Sequence, residues 1–348
     1  MRFGRHGAVA ARILVLGGAA AFLLLAPAAL SPYTLIVLCH SLVLSIACLG
    51  LNVVFGTTGL FSLGHAAFFG AGAYAGAFLY RFAAVTSFEV YALAGVMTSA
   101  LLAAGIGFLC VRATKIHFTI LTLAFGQIFY SLFIDGAIFQ LFGPLGWALY
   151  LLGEGSMYIP RLTILGNELT AGEFIPVFYY VIAAVFAGSA SLLWRINRSP
   201  FGKALRAIRD NETRAAHIGI PVRRYRWYAF ILSGTFVGVA GALYGQLDRQ
   251  ITPEQLDWLF SAELVLATVL GGSRDFVGPV LGAFLFVGLD EIAGRWAVGQ
   301  KAIMGALLII VVFVSPRGLA GALRALADSI RPARRGGAAS GGPLESKR

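Results

Sequence analysis

Residues 174–194 read FIPVFYYVIAAVFAGSASLLW, residues 195–226 read RINRSPFGKALRAIRDNETRAAHIGIPVRRYR, and residues 227–247 read WYAFILSGTFVGVAGALYGQL. Each flank is as long as one bilayer crossing, which needs roughly 20 apolar residues. The middle carries Arg195, Arg198, Lys203, Arg206, Arg209, Arg214, Arg223, Arg224 and Arg226 against Asp210 and Glu212. Lys and Arg in a short loop between two spans hold that loop in the cytoplasm. The three pieces together predict a helix–loop–helix unit of a polytopic α-helical membrane protein.

Working outward, further apolar stretches lie at about 11–30, 33–54, 60–80, 90–110, 116–135, 258–272, 276–292 and 300–315. The expectation is an all-α fold of about 10 transmembrane helices, some short or broken by glycine. Residues 258–292 read either as two spans or as one broken, re-entrant element. Ten spans place every basic segment on one side: Arg2, Arg5 and Arg12, then Arg112 with Lys115, then 195–226, then the tail from Arg317. The acidic intervals fall opposite, with Asp135, Glu154, Glu168 and Glu173 in one, and Asp248, Glu254 and Asp257 in the other. Both termini are therefore expected in the cytoplasm, in the inner (plasma) membrane. The five tryptophans agree, because indoles prefer the interface: Trp194, Trp227, Trp258 and Trp296 fall at span ends and Trp147 in a loop. Ala26-Pro27-Ala28-Ala29 could end a cleaved signal, but the long apolar run and the span right after it favour an uncleaved first helix. Residues 1–333 read as one membrane domain and 334–348, rich in Gly, Ala, Ser and charge, as a disordered tail.

Composition supports this and removes other classes. The chain is 58% hydrophobic and 12% charged, with a net charge of +11, whereas soluble domains are about 45–50% apolar and about 25% charged. The positive charge sits in short intervals between apolar runs and not on one face of a soluble fold, so the partner it implies is membrane lipid and not nucleic acid. Cys39, Cys48 and Cys110 lie singly in apolar runs, which suits small buried hydrophobes and neither a metal nor a redox site. There is no GxxxxGK[ST], HExxH or GxSxG. No catalytic, metal or cofactor site is expected. If ATP drives this chain, another chain hydrolyses it.

Within the basic loop, Pro200 suits a helix start and Gly219-Ile220-Pro221 a stop. Phe201, Leu205, Ile208 and Ala215 recur between them at helical spacing, so one short amphipathic helix is expected, fit for headgroups or for a groove on a soluble partner.

This loop resembles the cytoplasmic loop of the branched-chain amino acid permeases of ABC importers, the LivM/LivH family. Residues 50–70, GLNVVFGTTGLFSLGHAAFFG, resemble that family's early Gly-rich stretch. Val269-Leu270-Gly271-Gly272 with Val277-Gly278-Pro279-Val280-Leu281-Gly282-Ala283 resembles its late one, and Ser315-Pro316-Arg317-Gly318-Leu319 its ending. The likeness runs over roughly 35–320 and is closer to LivM. Ser273-Arg274-Asp275-Phe276 departs from the family's small, uncharged turn. The resemblance implies import of branched-chain or related hydrophobic amino acids, or of urea, amides or another small solute. It implies a homologous permease partner, two cytoplasmic ATPase subunits and a periplasmic substrate-binding protein. It also makes the basic loop the ATPase-coupling element, with Phe201, Gly202, Arg206, Arg209, Glu212 and Gly219 as its residues. A secondary transporter is the rival class, and it would need coupling carboxylates inside the spans.

Pathway candidates are the polar or helix-breaking positions within apolar runs: Asn52, His65, Glu263, Gly271, Gly272 and Pro279. A carboxylate at bilayer depth costs about 2.5–3.5 kcal/mol on insertion scales, so Glu263 should face protein or water. His65 and Asn52 equally suit structural hydrogen bonding, and His40 stands in no recognisable pattern. The glycines at 56–76 and 271–288 suit a substrate path at a repeat interface or close packing, whereas Gly234 to Gly245 reads as packing.

Overall fold

The computed structural model describes residues 23–113, 116–136 and 156–294 without a break, and 18, 140, 143–144, 302–306, 309, 313 and 318–321 besides. The expected tail, the N-terminal arginines, Trp147, Trp296 and most of the first and tenth spans lie outside these residues.

Helix α1, Pro32–Asn52, begins where Ser31 accepts a hydrogen bond from the Thr34 amide with Pro32 in the first turn, and runs directly into a π-helical turn, Val53–Thr57. It is followed by α2, His65–Ala83, α3, Phe88–Cys110, and α4, Ile116–Ile134. Helix α5, Ala171–Arg198, opens on a capping box in which Glu173 reaches back to Thr170. Two short helices, α6 (Pro200–Asp210) and α7 (Glu212–His217), fill the basic loop. Helix α8, Val222–Asp248, then leads to α9, Trp258–Gly271, and α10, Gly278–Gly294. Among the described residues, five segments are long and apolar enough to cross a membrane: Pro32–Thr57, Phe88–Cys110, Ile116–Ile134, Gly172–Arg198 and Val222–Asp248. Helices α2 and α10 have 19 and 17 residues, and α9 only 14.

Helix α8 is the centre, packed against α1, α2 and α3. Lipid gives helices no hydrophobic reason to associate, so they need close fit through small residues. A side chain at Gly238 would strike Ser99, one at Gly241 the Phe69 carbonyl, and one at Gly72 the Gly238 carbonyl. The packing reading of Gly234 to Gly245 holds. In contrast, α3 and α4 turn Leu93, Met97, Leu101, Ile116, Ile120 and Ile128 outward, an apolar surface that suits lipid.

Residues 258–292 form two short helices, neither of them among the five long apolar segments. They fold back on each other through a turn at Gly272, whose φ of 103° excludes ordinary side chains. Gly271 abuts the Gly278 carbonyl and Gly282 the Ala267 carbonyl, so the two backbones nearly touch. Across this hairpin, α10 packs on α1.

The loops gather at two ends. One holds the π-turn, the α5–α8 connection and the 272–277 turn, brought together by Arg209 against Gly56 and by Gly56 against Ser273. The other joins residues 157–164 to both 86–89 and 249–251. There Met157–Tyr158 (β1) pairs antiparallel with Gln250–Ile251 (β2), and the Phe88 amide donates to Thr163 O at 3.0 Å. This two-residue ribbon is a departure from the all-helical expectation. Strands so short carry no readable alternation.

Candidate coupling element and pathway residues

The basic loop is two helices where one was expected. Asn211, extended at φ −160° and ψ 105°, ends α6 and caps α7 by accepting from the Arg214 amide at 2.8 Å. Ser199 caps α6 with Pro200 behind it, and Gly219 at φ 87° stops the unit, as the sequence predicts. Leu205, Ile208 and Ala215 are buried, while Lys203, Asp210, Thr213, Arg214, His217 and Ile218 are exposed.

The other expected coupling residues fasten this unit to the body of the protein. Phe201 stacks on Tyr225 with centroids 5.4 Å apart. Gly202 lies against the Asn197 carbonyl, so no side chain fits there. Arg206 donates to Asn197 O at 2.8 Å and Oδ1 at 2.6 Å. Arg209 donates to the Gly56 carbonyl at 2.7 Å, on the π-turn. Glu212 accepts two 2.7 Å hydrogen bonds from Arg226, whose side chain is 7% exposed. Asn197 and Arg226 were not among the expected residues. The Glu212–Arg226 pair is 14 residues apart across a loop, beyond any helical spacing rule.

The pathway candidates do not converge on one site. Asn52 is buried where α1 becomes π-helical, and its Oδ1 lies against Gly56 without a hydrogen-bond partner. π-Turns of this kind recur at functional sites. His65 is wholly buried: Nδ1 meets Ser62 Oγ at 2.9 Å and Nε2 meets Ser233 Oγ at 2.8 Å, with Phe68 and Phe230 edge-on. That is a structural imidazole in the α2–α8 contact. Gly271 and Gly272 shape the hairpin, with Pro279 buried at the start of α10. Glu263 alone of the six lines a sizeable cavity, of about 290 Å³, at the other end of the fold from Arg209. His40, which no sequence pattern singles out, lies on the same wall with Nε2 3.2 Å from Asp248 Oδ1. Among the described residues no group of His, Cys, Asp and Glu could hold a metal ion.

Residues 33–312 match the family model described as branched-chain amino acid transport system / permease component. The chain belongs to that family. LivM of Escherichia coli, a high-affinity branched-chain amino acid transport system permease protein, is 29% identical over 293 residues, 78% of this chain and 66% of LivM. LsrC of Klebsiella pneumoniae, an autoinducer 2 import system permease protein, is 31% identical over 45% of this chain and 47% of its own length. NupC of Lactococcus lactis, a nucleoside ABC transporter permease protein, is 26% identical over 45% and 48% respectively. Within this permease family the chain stands closer to LivM. It spans just under two thirds of the LivM length. No solved structure matches it. Family and apolar helices together make it a multi-pass membrane protein.

Proposed function

We propose that this chain is a permease subunit of an ABC importer for branched-chain or related hydrophobic amino acids, in the inner membrane with both termini cytoplasmic. It works with a homologous permease, two cytoplasmic ATPase subunits that hydrolyse ATP, and a periplasmic binding protein that supplies affinity. The observation that carries this reading is the α6–α7 unit. It is a compact helical pair with an outward basic face, tied by Arg209 to the point where α1 and the α9–α10 hairpin meet. A push on α6 from an ATPase is thereby delivered to helices that wall the cavity. The autoinducer 2 and nucleoside permeases among the relatives favour a second reading, another small solute moved by the same machinery.

The test uses membrane vesicles containing the chain with its permease, ATPase and binding-protein partners. Substituting outward residues, Lys203→Glu with Arg214→Glu, should release the ATPase and reduce ATP-driven leucine uptake about tenfold, as charge reversal at an interface does. The chain should still insert normally. Full uptake with the ATPase retained would overturn the docking assignment.

A further inference from the structure

The arginines at the α6 end of the bundle are of two kinds. Arg206, Arg209 and Arg226 are spent inside the protein, on Asn197, the Gly56 carbonyl and Glu212. Arg112, just past the end of α3, and Arg223, in the first turn of α8, are exposed and have neither a hydrogen bond nor an ion pair among the described residues. Both lie instead over one exposed ring, that of Phe108, with guanidinium carbons 5.1 Å and 5.7 Å from its centroid. A ring face attracts each cation by about 0.5–1 kcal/mol at an exposed site, so Phe108 gathers two like charges that would otherwise stand apart.

The surroundings are those of a membrane–water boundary. Trp227 meets Phe108 edge-on at 6.2 Å and donates its indole N–H to the Ala104 carbonyl at 2.9 Å, which locks the start of α8 onto α3. Tyr228 beside it is half-exposed. Indole and phenol rings settle at headgroup level. Along α3, Leu101, Gly105 and Leu109 follow at i, i+4 and i+8 on one face. Both leucines are exposed, and nothing lies within 4 Å of where a Gly105 side chain would stand. The result is an apolar strip with a gap at its middle and two cations at its head.

We propose that the ends of α3 and α8 form a binding site for an anionic phospholipid. Arg112 and Arg223 donate charge-assisted hydrogen bonds to its phosphate oxygens, and one acyl chain lies along the strip at Gly105. Basic sites between transmembrane helices hold anionic headgroups in this way. A carboxylate on a soluble partner, or free phosphate, would match the two cations and leave the strip uncovered. A lipid satisfies both. Nothing in the site depends on which solute the chain carries.

The full chain, purified in an uncharged detergent, is titrated with phosphatidylglycerol or phosphatidylcholine, and bound lipid is counted by native mass spectrometry. Phosphatidylglycerol should bind at least tenfold more tightly. An arginine near anionic lipid is worth about a factor of five, so R112Q with R223Q should weaken that binding about thirtyfold. Equal affinity for the two lipids, or full binding by the double variant, would overturn the site. K203Q with R214Q removes the same charge at the same end and should leave the tight binding as it was. An equal loss there would reduce the effect to general attraction and overturn the proposal. Phe108→Leu keeps both charges without the ring that gathers them, and should cost about threefold; no loss would mean that no site is built around the ring. Inorganic phosphate should not displace the lipid, and displacement would assign the arginines to free phosphate. Loss of the ATPase from the R112Q/R223Q complex with lipid binding intact would give this face to the ATPase instead.

Discussion

The two ends of this bundle are held together by different means. At the end around α6, the ties are long cationic side chains thrown across gaps: Arg206 to Asn197, Arg209 to Gly56, Arg226 to Glu212. At the opposite end they are backbone pairings and caps: β1 with β2, the Thr163 amide donating to Thr86 O at 2.8 Å, and Glu89 accepting from the Leu165 amide at 2.6 Å. A side-chain tie lets the two elements rock about several rotatable bonds. A backbone ladder fixes separation and register together. The first end is therefore tied through rotatable side chains and the second through backbone, a contrast that the proposed transport cycle would use with the first end as a joint and the second as a frame.

The sharpest way to break the contrast is Glu212→Ala. It leaves the buried Arg226 guanidinium unpaired, and removing one partner of a buried ion pair costs about 3–5 kcal/mol; because Glu212 is 41% exposed, the low end is expected. Thermal unfolding in detergent would register it, and Glu212→Ala with Arg226→Met should recover most of the loss. If the single substitution is silent, the pair is no anchor. Arg209→Ala is a finer test. Losing its hydrogen bond to the Gly56 carbonyl should lower stability by about 1.5 kcal/mol, its exposed contacts to Asp210 adding little, yet uptake in vesicles should suffer far more than stability does. Proportionate losses would mean that Arg209 is mere scaffolding. The smallest effect belongs to the frame. Glu89→Gln weakens an exposed cap on Leu165 and should cost about 0.5–1 kcal/mol, with uptake unchanged. A transport defect there would show that the second end also moves.

Five of the ten expected spans stand as long apolar helices among the described residues, legible because apolar length is written directly in composition. The stretch expected at 90–110 is helical from Phe88 to Cys110, and that at 116–135 from Ile116 to Ile134. The hairpin was legible only as an alternative, since a turn of six residues between two short apolar runs reads equally as a kink. The break at Asn211 does carry a signal in the sequence. An Asn followed by Glu212 in a first turn is a helix start, but the apolar spacing on either side masked it. The π-turn at Val53–Thr57 and the meeting of His40 with Asp248 had none, because one depends on tertiary contacts at Gly56 and the other joins opposite parts of the chain. For the candidate site, polarity within spans singled out Glu263, which lines the cavity, but could not separate it from His65, whose two ring nitrogens are both engaged by serines.

The hairpin of α9 and α10 has a consequence for how the chain is made. At 1.5 Å per residue, the 14 residues of α9, which is capped at Gly272, reach only about 21 Å, short of a hydrocarbon layer of about 30 Å. Helix α9 cannot be released into lipid by itself as a stable crossing when it leaves the ribosome. The Gly271–Gly278 and Gly282–Ala267 contacts let the two be delivered as one folded unit, after both are synthesised and against an α1 already in place. Biogenesis of this protein is thus expected to pause with its last third unassembled, and the order of assembly, from α1 to the hairpin, is set by helix length.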